Sequence, residues 1–232
     1  MPDLSPLEQE AIGLSLKVGC WAVIASLLPA LGIAWLLARP RLPGRFILTA
    51  LVHMPLVMPP VVTGYALLLL FGRHGPIGAW LDSTFGLVFA FRWTGAALAA
   101  AVMGFPLMVR SIQLGFEAID RRLEQAAATL GAPPLAVFAT VTLPLGASGI
   151  LAGSLLGFAK SLGEFGATIT FVSNIPGETR TLPLAIYTYT QVPGGDAQAL
   201  RLSIFSVVLS LAALAFSEWL ARRRHPADSR HA

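Results

Sequence analysis

Residues 120–144, DRRLEQAAATLGAPPLAVFATVTLP, place Asp120, Arg121, Arg122, Glu124 and Gln125 between two long apolar segments. Charges at that density are expelled from hydrocarbon, so this stretch sits in water while its neighbours on both sides do not. Backbone polar groups in lipid must be satisfied within the segment, which leaves helices as the spanning elements for apolar runs of this length. Composition agrees: 55% of the residues are hydrophobic, 12% are charged and the mean hydropathy is +0.71, against about 25% charged in soluble domains. The chain is read as an all-α integral membrane protein, a polytopic bundle of about five transmembrane helices. Its net charge of +4 does not point to nucleic acid, because the positive residues gather at segment ends instead of forming a patch interleaved with aromatics.

In chain order, residues 1–10 are expected to form a short N-terminus on the outer side, with Asp3, Glu8 and Glu10 and no positive charge, which does not read as a cleavable signal. The first span is expected over residues 11–37, with Lys17 snorkelling near one end and Cys20 as a small buried hydrophobe. Arg39, Arg41 and Arg45 follow in a loop without acids, which assigns it to the cytoplasm. The second span, 47–71, contains His53, Pro55, Pro59, Pro60 and Thr63, and prolines there must bend it, either for packing alone or to line a pathway. Residues 72–92 read as an external connection with a short interfacial segment at 77–81, and the third span, 93–109, carries Gly104 and Pro106 and stops at Arg110.

The fourth span, 145–171, stacks Gly149, Gly153 and Gly157 on one face, inviting a close helix neighbour. It also puts Lys160 and Glu164 in or near hydrocarbon, where an ionisable residue costs about 2.5 to 3.5 kcal/mol. Spaced i, i+4, the two can pair as a structural bridge, or Glu164 can line a path, since the flanking Gly163 and Gly166 loosen the helix. Residues 173–197 are polar and turn-rich and read as an outer loop. The fifth span, 202–220, ends at Arg222, Arg223 and Arg224 with Trp219 as an interfacial anchor, leaving 222–232 as a cytoplasmic tail. No long extension follows, so an added regulatory domain is not expected.

Within residues 120–144, Leu123, Ala126, Ala127 and Leu130 recur at helical spacing and Gly131 supplies a stop. A second helical piece starting at Pro133 or Pro134 presents Leu135, Phe138 and Val141 before Leu143 and Pro144. An Ala-rich face with one aromatic knob is suited to docking on another protein. Enzyme signatures are missing: no HExxH, no GxSxG with partners, no GxxxxGK[ST], and His53 and His74 lack metal-ligand spacing. No catalytic residue, metal site or cofactor is expected, and any uphill work must be powered by a partner or an ion gradient.

Gln125, Ala126, Ala127 and Gly131, followed by Val141, Thr142, Leu143 and Pro144, resemble the EAA signature of ABC-importer permeases, with Gln125 where that pattern has Glu and Glu124 one residue earlier. One residue turns a helical side chain by about 100°, so the signature glutamate's role is not carried to Glu124. PPVVTG from Pro59, FPLMVR from Phe105, and SLGEFGAT from Ser161 followed by NIPGET from Asn174 extend the resemblance to permeases of bacterial oxyanion importers, most closely the molybdate permeases.

That resemblance implies a type I importer fold and a single membrane domain over residues 11–221. It implies a homodimer with the path at its interface, an ATP-binding subunit (ModC-like) docked on the cytoplasmic coupling loop through Gln125, Ala126, Ala127, Gly131, Phe138, Leu143 and Pro144, and a periplasmic molybdate-binding protein (ModA-like). Molybdate is a doubly charged tetrahedral anion, so a path should offer hydroxyl and amide donors without a strong positive well. Pro59, Pro60, Thr63, Ser161, Glu164, Thr168 and Thr170 are the pathway candidates. Sulfate or tungstate permeases are close alternatives, and a gradient-driven carrier without an ATPase is an alternative of another class.

Overall fold

The computed structural model describes residues 4–39 and 42–224; in the last helix the side chains of residues 214 and 217–224 fall outside the description. Arg41, Trp219, the guanidinium groups of Arg222, Arg223 and Arg224, and the tail from residue 225 therefore lie outside the described residues, as do residues 1–3.

The described residues form helices and no strand. Helix α1 (Pro6–Leu37) begins earlier than the apolar run does, because Ser5, Pro6 and Glu8 form a capping box: the Ser5 hydroxyl accepts from the Glu8 N–H and the Glu8 carboxylate accepts from the Ser5 N–H. The same carboxylate, fully buried, takes two hydrogen bonds from Arg201 at 3.0 and 2.6 Å. Two planar N–H donors on one carboxylate fix its geometry, and here they tie the first helix to the last, α12 (Asp196–Arg224).

The expected second span is two helices, α2 (Arg45–Val57) and α3 (Pro60–Phe71), which meet at 111°. Pro55 is accommodated within α2, whereas Pro59 and Pro60 cannot donate the N–H groups a continuous helix needs, and the chain breaks at Met58. The break is far sharper than the kink that prolines alone suggest. Helix α4 (Pro76–Phe85) folds back on the end of α3, and it extends beyond the short segment expected there.

Helix α5 (Trp93–Glu117) runs unbroken through Pro106 and continues two turns past Arg110. The charge marks where the apolar surface ends, not where the helix does, since Ile112, Gln113 and Phe116 remain buried against neighbours. Then come α6 (Arg121–Thr129), a single turn α7 (Pro134–Val137), a five-residue π-helical turn (Phe138–Thr142) and α8 (Leu143–Leu145), followed after a 71° bend by α9 (Ala147–Leu162). The expected fourth span ends at Leu162; Gly163, Glu164 and Phe165 interrupt it, and α10 (Gly166–Val172) is a separate helix. The outer loop also holds a helix that its Pro, Thr and Tyr content concealed, α11 (Leu182–Thr190), whose Leu182 and Ala185 pack with Ala11 and Leu202.

Among the described residues, three helices are long and apolar enough to cross a membrane, α1, α5 and α12, or up to five when each bent pair counts as one span. The α5–α9 pair forms the centre. A Cβ on Gly149 would lie 2.8 Å from the Gly115 Cα, one on Gly153 2.8 Å from the Met108 carbonyl oxygen, and one on Gly157 2.9 Å from the Met108 side chain. The glycine stripe thus meets backbone on α5, as close helix packing in lipid requires, and the Ser111 hydroxyl donates across the seam to the Gly149 carbonyl at 3.3 Å. Cys20 departs from expectation: it lies on the exposed surface of α1, because the buried face of that helix is taken by Leu14, Val18, Ala22, Ala30 and Ala34. Lys17 does not simply reach for the interface; its ammonium sits 3.6 Å above the Trp93 ring, a cation–π contact.

Candidate functional site

Two regions carry the residues singled out in the sequence. The first is the projecting loop of residues 120–145. Asp120 caps α6 by accepting from the Arg122 N–H at 2.9 Å, and none of the nine residues of α6 is buried. Gln125 and Ala126 face outward, Ala127 is half-buried, and Leu123, Leu130 and Leu135 are 49%, 89% and 76% exposed. These leucines leave apolar side chains uncovered on a loop that is otherwise polar. Gly131 ends the helix in the left-handed region, φ +88, and Ala132 N–H returns to the Ala127 carbonyl at 3.2 Å. A side chain at Gly131 would meet no atom within 4 Å, so its backbone angle, not space, selects glycine.

Phe138 is not a knob held out for docking. Its ring packs inward, 5.2 Å from the Trp35 ring of α1 and 6.0 Å edge-on from Phe116 of α5. Glu124 likewise turns inward and accepts a hydrogen bond of 2.5 Å from the hydroxyl of buried Thr142, while Gln125 remains outside. The rotation of about 100° per residue separates the two roles. Leu143 is half-buried and Pro144 exposed. Behind α6 lies a cleft of about 550 Å³ bounded by Trp35, Arg39, Arg121, Glu124 and Thr142. Arg121 reaches across to the Ala38 carbonyl at 3.0 Å and the Arg39 guanidinium stacks 3.9 Å over Trp35.

The second region is the pair of broken helices. Helices α3 and α10 pack at backbone distance: a Cβ on Gly64 would lie 2.5 Å from the Ala167 carbonyl oxygen, and one on Gly166 2.7 Å from the Pro60 ring. Pro59 and Pro60 are exposed on one side of this junction, Thr63, Ser161, Glu164 and Thr168 are buried and Thr170 is half-buried. Ser161 donates to the Gly157 carbonyl at 2.8 Å and Thr170 to the Gly166 carbonyl at 2.9 Å. Both hydroxyls thus serve their own helices. Thr63 differs, for its buried hydroxyl has no partner.

Glu164 combines two duties: one carboxylate oxygen accepts from the Ala167 N–H at 3.0 Å, satisfying an orphan donor at the start of α10, and the other pairs with the Lys160 ammonium at 3.3 Å. The salt bridge expected from the i, i+4 spacing is formed. The capping bond needed the helix break at Gly163, which periodicity does not reveal.

At the opposite end of the bundle, residues 173–181 form a cross-braced loop. Asn174 bonds Thr188 at 2.8 Å and receives the Arg180 guanidinium at 3.0 Å, and the Glu178 carboxylate accepts from the Trp93 N–H at 3.2 Å, capping α5. The Ser15 hydroxyl accepts from Leu182 N–H at 2.6 Å. Apart from the Asn174–Arg180 contact, these ties join residues distant in the chain, which no local sequence pattern marks; the Ser5-to-Glu8 capping spacing, in contrast, is local and legible.

Residues 30–226 match the family model described as the binding-protein-dependent transport system inner membrane component. The molybdenum transport system permease protein ModB of Escherichia coli K12 is 58% identical over 94% of this chain and 96% of its own length, and ModB of Haemophilus influenzae is 55% identical over 94% and 95%. The sulfate transport system permease protein CysW of Synechococcus elongatus is more distant, 38% identical over 77% of this chain and 62% of its own. Among solved structures, the MetNI methionine ABC transporter in inward-facing conformations superposes with a TM-score of 0.71 at 15% identity, covering 95% of this chain and 99% of that chain. A bacterial alginate ABC transporter bound to its pentasaccharide-loaded periplasmic protein gives 0.72 at 16% identity, covering 94% and 80%. These likenesses show the fold, and the sequence relatives show the kinship. The chain therefore belongs to the family of binding-protein-dependent inner-membrane transport components, as a multi-pass permease subunit.

Proposed function

We propose that this chain is the permease subunit of an ATP-driven importer that carries molybdate across the bacterial inner membrane. Two copies enclose the path, a separate ATP-binding subunit docks on residues 120–144 from the cytoplasm, and a periplasmic molybdate-binding protein delivers the anion. The observation that carries the coupling half of this reading is the loop itself: α6 has no buried residue and leucines are exposed at and beyond its tip. The similarity to ModB proteins supports the substrate. Arg39, Arg45, Arg110, Arg121 and Arg122 gather toward that same end, which by the excess of positive charge on cytoplasmic loops puts the loop inside. Five crossings then leave the N-terminus in the periplasm and the C-terminus in the cytoplasm.

The path is assigned to the face around the α2–α3 break. Pro59 and Pro60 are accessible there, and among the candidate hydroxyls that of Thr63 is fully enclosed without a hydrogen-bond partner, a donor left over for an oxyanion. Ser161, Glu164 and Thr170 serve chiefly to hold α9 and α10 in place behind it.

The test is uptake of labelled molybdate in cells lacking the gene and complemented with it. Uptake that depends on the gene, and that excess tungstate blocks while sulfate does not, is the expected result. Competition by sulfate would move the assignment to the sulfate permeases, in keeping with the weaker CysW match. Coupling is checked with Gly131→Val, whose β-branched side chain is forced into a left-handed backbone at a cost of about 1–2 kcal/mol. ATP-dependent uptake is expected to be lost in Gly131→Val and largely kept in Gly131→Asn, the residue that best tolerates that conformation. Equal uptake by wild type and Gly131→Val would show that the loop does not couple.

A further inference from the structure

The connection between α6 and the membrane bundle is irregular along its backbone and braced through its side chains. From α6 to α9 the chain passes Gly131, two prolines, a single helical turn, the π-helical turn, a three-residue helix and a 71° bend. A path of short, differently wound pieces yields when pushed, and π turns commonly mark such functional joints. Across the gap, in contrast, Phe138 lies between the rings of Trp35 and Phe116, and Phe116 in turn fills the space beside Gly146, where an added Cβ would come within 2.4 Å of its ring. The Glu124 carboxylate is bonded to buried Thr142 and Arg121 to the end of α1.

We infer that Trp35 and Phe138 are positioning residues that clamp the coupling loop to the ends of α1 and α5, and that the Glu124–Thr142 bond ties α6 to the π-helical turn carrying Phe138, so that displacement of α6 reaches the bundle through this clamp while α9 pivots beside Gly146. The inference rests on the ATP-coupled reading above. It departs from a purely backbone lever in one respect: loosening the aromatic contact uncouples transport even though the docking face of α6 is untouched.

The experiment uses the complete complex of permease, ATP-binding subunit and binding protein in proteoliposomes, and reads molybdate taken up per ATP hydrolysed. Phe138→Ala is expected to lower that ratio by between about 2-fold and about 30-fold, the range carried by residues that relay coupling. Trp35→Ala lowers it similarly, and the double variant loses clearly less than the product of the two singles, because both remove the shared Trp35–Phe138 contact. Phe138→Tyr, which keeps the ring, restores the ratio.

Thr142→Val, which removes only the hydroxyl, moves the ratio in the same direction and keeps the test decisive should Phe138→Ala fail to assemble. An unchanged ratio in Thr142→Val and Phe138→Ala, or a double variant whose loss is the product of the singles, overturns the clamp. Absence of ATP-driven uptake by the wild-type complex would instead overturn the importer reading, and the clamp with it, before any variant is compared.

Discussion

Gly153→Leu is expected to remove folded protein from the membrane fraction. A Cβ at this position already lies 2.8 Å from the Met108 carbonyl oxygen and 3.0 Å from the Ile112 side chain. Backbone cannot swing away as a side-chain tip can, so α5 and α9 must separate. In lipid the attraction between helices comes from close packing and not from a hydrophobic drive, since lipid tails are as apolar as leucine. Separation therefore forfeits the contacts along the Gly149, Gly153 and Gly157 stripe together, along with the Ser111 to Gly149 hydrogen bond. Overpacking a tight site costs about 1–3 kcal/mol and sometimes more, and this seam belongs at the upper end. Gly32→Leu on α1 is the matched control, because nothing lies within 4 Å of a Cβ there. Yield and thermal unfolding in detergent should separate the two variants clearly; equal behaviour would mean that the α5–α9 seam does not hold the bundle.

The second large effect is expected at Lys160. Lys160→Met leaves the Glu164 carboxylate, whose side chain is 2% exposed, without its cation. Stranding one member of a buried pair costs about 3–5 kcal/mol, and the lower figure applies because Lys160 is itself 33% exposed and partly screened. Glu164→Gln should be milder, since its amide oxygen still accepts from the Ala167 N–H. The double variant Lys160→Met with Glu164→Gln should recover most of the folded protein that Lys160→Met loses.

Exchanging the two residues should fail, which is not what spacing alone implies. If the pair were only a salt bridge, reversal would keep it. A lysine at position 164, however, offers three donors and no acceptor to the Ala167 N–H, so the start of α10 would lose its cap. Folded yield and uptake measured together check this: a reversed pair that folds and transports normally would show that the cap is dispensable. Normal folding of Glu164→Gln without transport would give the charge a role in translocation beyond structure.

Much of the architecture was legible because a bilayer imposes coarse rules. Apolar runs long enough to cross and a polar stretch in the middle gave the helical class and the loop between α5 and α9, since lipid punishes every unsatisfied backbone group. The glycine stripe named its own close contact, for three glycines four residues apart share one helix face. Boundaries were less legible. Arg110 looked like the end of a helix and was only the end of an apolar surface, and α11 was hidden because its packing against α1 and α12, not its propensity, makes it helical.

Within the candidate site, the sequence by itself determined which residues compose the loop and that Gly131 ends its helix, because left-handed backbone demands glycine whatever surrounds it. It also made the Lys160–Glu164 pair available, a contact local along one stretch of chain, and the structure shows the pair formed. Only the tertiary structure decided where side chains point across elements: that Phe138 turns inward to Trp35 and Phe116, that Glu124 bonds Thr142 while Gln125 faces out, and that Ser161 and Thr170 spend their hydroxyls on their own helices while Thr63 does not. Periodicity specifies a face relative to its own helix axis. Which neighbour meets that face depends on how the broken helices and their bends are arranged in space, and no local rule carries that information.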